Sequence, residues 1–324
     1  MKRYITLDDF LDTYGKLKQR GLGFITSKFS ANELARTKSA FNETAHQASN
    51  WWHIPAVTKR WNEMISSDAQ VNFKQHLVEK HLKNKAGLSL ISFGSGDCSH
   101  ELELAQYDCF SNVTCVDIAS NRLETARTNV NDSHKAQLHF INESIYELQL
   151  DTTYDLVFFN ASLHHFKDIH HLIEQFILPL LNKDGLLVIN EYVGADRLQF
   201  PNHQIKAINQ ALQFIPRKYR KRYQRNAVKN HFYGSGLWRM IVADPSECVD
   251  SSSILPAIHK NFKTLEEKSY GGNILMNTLK DISYHFEEIN PETQKILNDL
   301  FAFEDDYLKH HQSDFIYGVY EKVT

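Results

Sequence analysis

Four cysteines among 324 residues, at 98, 109, 115 and 248, contain no Cys-x-x-Cys pair. That scarcity excludes a zinc ribbon or a dithiol redox motif and fits a reduced protein of the cytoplasm. No apolar run approaches the roughly 20 residues of a membrane span. The start, MKRYITLDDFLDTYGK, is too polar for a secretory signal. Internal repeats, low-complexity tracts and a flexible interdomain linker are all absent. A net charge of −3 argues against bulk polyanion binding, so no nucleic-acid partner is expected. What is present is ordinary for a soluble globular chain, with 42% hydrophobic and 23% charged residues. The length suits one large domain, or a domain with a substantial appendage.

The stretch that organises the rest is Leu88 to Asp117. LSLISF has strand length and stops at Gly94, Gly94-Ser95-Gly96 turns the chain, and SHELELAQ restarts it with helix formers. A second short run, VTCV, ends at Asp117. Strand, Gly-rich turn, helix and acid-terminated strand make half of a nucleotide-binding α/β fold. Glycines let the backbone pass close to a ligand, and a helix start offers N–H groups. The acid, 21 residues beyond Gly96, offers two oxygens to a ribose diol.

This pattern resembles motif I and the next acidic strand end of the class I S-adenosylmethionine-dependent methyltransferases, written acid-x-Gly-x-Gly-x-Gly. Gly94 and Gly96 match, Ser92 stands at the acid and Cys98 at the third Gly. The dinucleotide pattern Gly-x-Gly-x-x-Gly would have Ser99 as its third Gly, so motif I alone leaves both cofactors open. Beyond it, IASNRLETARTNV reads as a helix capped by Ser120 or Asn121, and QLHFIN as a strand before the turn Asn142-Glu143-Ser144. DLVFFN is a buried strand ending at Asn160; Asp168 caps a helix through HHLIEQFILPLL; Asp184-Gly185 turns into a fifth strand. The resemblance covers residues 88–194. It implies S-adenosylmethionine as cofactor, held by Phe93, Gly94, Ser95, Gly96, Asp117, Ile118, Asn142, Glu143, Ser144 and Asn160.

Residues 1–86 read as an N-terminal helical cap and 87–324 as the main domain, with an insertion at about 195–260. In the cap, FSANELARTKSAFNETAHQ is an amphipathic helix and Pro55 marks another helix start. FKTLEEKSYGG reads as strand six, with helices through NILMNTLKDISYHFEE and PETQKILNDLFAFEDDYL, and DFIYGVYEKV as a last strand. In the family that strand enters antiparallel. The expected architecture is therefore α/β: a Rossmann-like seven-stranded sheet, mostly parallel, with helical cap and helical insertion.

Candidate side chains each have a plainer reading. Trp51 and Trp52 lie over the ligand or anchor the cap. His164 and His165 follow the fourth strand, where a general base would stand, or are structural loop histidines. On one helix His164 and His171 would be about 10 Å apart, too far to share an ion, so no metal is expected. Glu191 and Tyr192 hold the acceptor or cap the fifth strand; Tyr233 and Trp238 bring the insertion to the same crevice. The basic run from Arg217 to Arg225 reads as a solvated face, and Gly234-Ser235-Gly236 as a loop hinge.

The expected function is methyl transfer from S-adenosylmethionine to a small or medium-sized molecule, with an oxygen nucleophile as the specific expectation. Two alternatives remain. An NAD-linked oxidoreductase would want a hydride-site constellation such as Tyr-x-x-x-Lys after the fourth strand, which is absent. A non-catalytic cofactor-binding protein would tolerate Ser92 and Cys98.

Overall fold

Alternation within the apolar strands builds the core from both faces of one sheet. Ile91, Phe93, Val157, Phe159, Leu187 and Ile189 enter one apolar cluster, while Leu90, Leu156, Phe158, Leu186 and Val188 enter another. Strands buried on both faces are the mark of a parallel sheet covered by helices. The computed structural model describes residues 2–10, 13 and 49–323. Its strands are β1 (Leu88–Phe93), β2 (Phe110–Val116), β3 (Gln137–Ile141), β4 (Tyr154–Asn160), β5 (Leu181–Tyr192), β6 (Phe262–Gly271) and β7 (Phe315–Lys322). They form one seven-stranded sheet in the order β3-β2-β1-β4-β5-β7-β6. β1 to β5 are parallel, and β7 runs antiparallel to both β5 and β6. The order reverses between β1 and β4, which puts the ligand crevice at their carboxyl ends.

The helical appendages share a third core. Trp51, Val57, Tyr192, Phe200, Ile208, Leu279 and Leu297 pack together, joining cap, insertion and C-terminal helices. Pro55 opens the helix Pro55–Ser66 as expected, and Asn72 caps Phe73–His81 by accepting from Lys74 N and Gln75 N. The helix expected around FSANELARTKSAFNETAHQ lies outside the described residues. The first residues pair with the insertion: Leu237 N donates to Arg3 O at 2.8 Å and Trp238 N to Tyr4 O at 3.1 Å. Asp9 Oδ1 accepts from Gly236 N and Arg239 Nε, both at 2.8 Å.

Several local expectations are corrected. Gly234-Ser235-Gly236 is the strip on which the N-terminal segment is held, with Asp8 Oδ2 accepting from Tyr233 N at 2.6 Å. Arg222, from the basic run, is buried and pairs with Asp281, with Asp8 3.9 Å away. Asp281 takes a positive φ, and the helix expected there breaks into Leu275–Leu279 and a short turn at Ser283–His285. Asp168 makes no side-chain cap, and the helix after it contains a π turn at Ile173–Ile177. The helix Ser120–Thr128 has Ala119 at its N-cap, because Asp117 Oδ1 already takes Ala119 N. Among the described residues no helix is long and apolar enough to cross a membrane.

Candidate active site

Phe93 ends β1, and the chain then turns through Gly94 and Gly96, both at positive φ. A Cβ on Gly94 would stand 2.7 Å from the Cβ of Ser162, so the loops after β1 and β4 can meet only with glycine there. Gly94 N donates to Val116 O at 2.9 Å. Gly96 N donates to Asp117 Oδ2 and Ala119 N to Oδ1, each at 2.7 Å. Asn142 Nδ2 donates to Asp117 O at 2.8 Å. The buried Asp117 carboxylate thus braces the glycine turn, and each of its oxygens keeps a second lone pair for a ligand. Under the turn, Ser92 donates to Glu101, a buried carboxylate on the helix Ser99–Leu104.

A cavity of about 470 Å³ opens on this turn. Phe93, Gly94, Gly96, Asp117, Ile118, Glu143, Ser144 and His165 line it. Ser95, Asn142, Asn160 and His164 are not in its wall. Asn160 Oδ1 instead accepts from Asn190 Nδ2 at 2.7 Å, tying β4 to β5. Arg122, Tyr146, Lys167, Ser246 and Val249 also contribute, and sequence reasoning did not single them out. Ser246 and Val249 come from the insertion, over 80 residues beyond His165, and no motif connects the two segments.

The far wall is built around Glu191. Its fully buried carboxylate accepts from Leu163 N at 2.6 Å, from Ser162 N, and from His164 Nδ1 at 2.8 Å. Burial works against charge on His164, but the bond to Glu191 and the surrounding carboxylates raise its pKa. The His165 ring lies 4.2 Å from that of His164, centroid to centroid. Burial and the neighbouring His164 charge lower the His165 pKa, favouring a neutral imidazole. His165 Nδ1 meets Ser246 Oγ at 3.2 Å, and that hydroxyl donates to Asp244 Oδ1 at 2.6 Å. Ser246 therefore accepts from His165 Nδ1, and His165 Nε2 lies 3.9 Å from Glu247 Oε2.

The aromatic residues expected over the ligand are placed elsewhere. Trp51 is buried against Trp61 and Phe315, with ring centroids 4.7 and 5.6 Å apart. Trp52 is exposed beside His53. Tyr192 is buried and donates to Ala195 O at 3.1 Å. Tyr233 and Trp238 are exposed on the strip that carries the N-terminal segment. None of these five, nor Glu191, lines the cavity. Trp51 and Tyr192 are spent on the third core, and the other three rings face solvent.

Sheet order, glycine turn and acid place residues 88–192 in a known class, and comparison agrees. A family profile described as a methyltransferase domain matches residues 91–189. The chain carries a class I S-adenosylmethionine-dependent methyltransferase domain. Curated relatives from two strains of Leptospira interrogans, both demethylmenaquinone methyltransferases, are each 25% identical over 175 residues. That match covers 53% of this chain and 61% of theirs, so the chain spans about three-fifths of the length of those relatives. Among solved structures, the plantazolicin methyltransferase BpumL in complex with S-adenosylhomocysteine (SAH) and a triazolic analogue is similar at TM-score 0.43 and 13% identity, covering 97% of this chain and 99% of that one. The [4+2]-cyclase SpnF is similar at TM-score 0.44 and 15% identity, covering 77% and 80%.

Proposed function

We propose that the chain transfers a methyl group from S-adenosylmethionine to a small or medium-sized molecule through an oxygen nucleophile, which loses its proton at the histidine pair. The observation that carries this reading is one cavity lined both by the Gly94–Gly96 turn with Asp117 and by His165. The residues fit the cofactor: two glycines leave the turn open, and the Asp117 oxygens retain lone pairs for a ribose diol. Glu143 and Ser144 line the same space and would meet the base. When bound, S-adenosylmethionine supplies a methyl group activated by a sulfonium charge. The protein then has to align, exclude water and manage one proton.

His165 is the group in position for that proton. It lines the cavity, its pKa is lowered, and Ser246 with Asp244 fixes its ring. His164 stands behind it, locked by Glu191. The relatives act, by name, on demethylmenaquinone, which supports a small or medium-sized organic acceptor. Calorimetry with SAH and with NAD tests the core of the proposal. Binding of the first without the second is expected; binding of NAD alone would overturn it.

A further inference from the structure

We propose that a second cavity, separate from the cofactor crevice, binds a small aliphatic ammonium ion at Asp314. The cavity holds about 680 Å³ between the chain leaving β5, the helices Asn202–Leu212 and Ile254–Asn261, and the strands β6 and β7. It shares no lining residue with the cavity that opens on the glycine turn. Its wall carries two carboxylates, Asp314 and Glu267, and no lysine or arginine. A cleft lined by acids without fixed cations concentrates positive charge. The wall's histidines do not cancel that effect. His259 Nε2 is paired with Glu267 at 2.7 Å. His311 is held below the ordinary imidazole range by burial and by its neighbours His203 and His310, which keeps it neutral.

Asp314 is the anchor. It stands one residue before β7, and it is buried although it lines the cavity. Its Oδ2 accepts from Gln204 Nε2 at 2.6 Å, and the buried Gln204 is itself tied to Asn273 O at 3.0 Å. Oδ1 has no partner among the described residues. That oxygen lies over Gly194, where a Cβ would stand only 2.5 Å from it, so glycine there leaves the carboxylate its place. A buried carboxylate with one oxygen unpaired is costly to ionise. Burial accordingly raises the Asp314 pKa to about 7, and an ammonium beside Oδ1 would offset the cost.

A stack of rings completes the site. His203 and His311 lie with centroids 4.5 Å apart and planes 14° from parallel, and Tyr307 continues the stack 4.1 Å from His311. Such a wall packs methylene groups and presents π density to a cation. Glu267 Oε2 is taken by His259 and Tyr320, which leaves Oε1 for a second charge. An aliphatic diamine matches this lining, with one ammonium at Asp314 and its chain along the rings. A metal ion is the poorer occupant, because among the described residues no three of these acids and histidines come close enough to share one.

Calorimetry of the full-length chain with 1,4-diaminobutane tests the site, with 1,4-butanediol as the uncharged counterpart. One equivalent of the diamine should bind saturably, and the diol should not. Asp314→Asn keeps an acceptor for Gln204 and removes the charge, so it should weaken the diamine at least tenfold. His311→Ala, in the ring stack, should weaken it severalfold. Both variants should keep the parent's thermal transition and SAH affinity; where Asp314→Asn lacks that transition, His311→Ala decides. No diamine binding by the parent, equal binding of the diol, or parent-like diamine affinity in a folded variant overturns the proposal. Displacement of the diamine by SAH does so too, by assigning the cation to Asp117. SAH binding without diamine binding sinks the amine site alone, and diamine binding without SAH binding sinks the methyltransferase reading alone.

Discussion

Ser92 Oγ donates to Glu101 Oε1 at 2.6 Å, and both side chains are buried beneath the glycine turn. Ser92 occupies the position where the family has an acid, and the carboxylate that lies there comes instead from one turn into the following helix. Burial pushes the Glu101 pKa up to about 7, against the smaller opposing effect of the Ser92 bond. Folded Glu101 therefore holds its proton where the unfolded chain has lost it. Its contribution to stability is full below about pH 4 and is lost as pH rises through 7. Asp314, also raised to about 7 by burial, acts in the same direction. In denaturant melts from pH 4 to 8 the Glu101 part of the pH dependence should be a decline of up to about 3 kcal/mol, opposed by His100, whose pKa burial lowers to about 4. Glu101→Gln should remove its part of the decline and leave that of Asp314. An unchanged slope in Glu101→Gln would mean that Glu101 titrates normally.

Asp117 braces the Gly96 turn, and in the proposed function it also accepts from the ligand. Asp117→Ala should weaken SAH binding by about 2–4 kcal/mol, since charged hydrogen bonds of about 1.5–3 kcal/mol each are lost. A dissociation constant equal to the parent's would remove the cofactor assignment at this residue.

The histidine pair should control the chemical step and spare the cofactor. Replacing His165 by Gln is expected to cut single-turnover rate about 10²-fold. His164→Gln should do nearly as much by removing the ring that Glu191 holds against His165. If both variants turn over at the parent rate, the acceptor needs no proton removed.

Trp51 gives a stability prediction with an opposite signature. Its ring packs on Trp61 and Phe315 in the core shared by the appendages. Trp51→Ala should destabilise the fold by about 3–5 kcal/mol, with SAH affinity little changed at temperatures where the variant is folded. A large affinity loss with normal stability would restore Trp51 to the ligand.

Hydrogen exchange should separate the two walls of the cavity. The Asp244–Asp250 loop brings Ser246 and Val249 to the ligand, so its amides should gain protection when SAH is added. The strip Tyr233–Trp238, occupied by the N-terminal segment, should not respond. Equal protection of the loop with and without ligand would make it a rigid wall.

Legibility followed the range of the interactions. β1, the turn and Asp117 were readable because strand, glycine and acid act within 30 residues, and each leaves a local pattern. β4, β5 and β7 were readable for the same reason, as apolar runs of strand length. The cavity's outer wall was not. Ser246 and Glu247 carry no periodicity, and they matter only because the insertion folds back to the segment after β4. The tryptophans misled in the opposite way: a cluster such as WWHIPAVTKRW shows that burial is coming without showing where. Glu101 was hidden by the motif, whose acid is expected at Ser92.

β7 lies between β5 and β6, and within the described sheet β6 has no other neighbour. A chain shortened before Phe315 would therefore do more than lose eight residues of strand. β5, with Leu187 to Ile189 at its centre, would present a bare row of backbone donors and acceptors, and β6 would be cut adrift from the sheet. An unpaired apolar edge of that kind recruits strands from other molecules. Truncation at this end should thus be read out as aggregation, even where residues 88–192 remain able to fold.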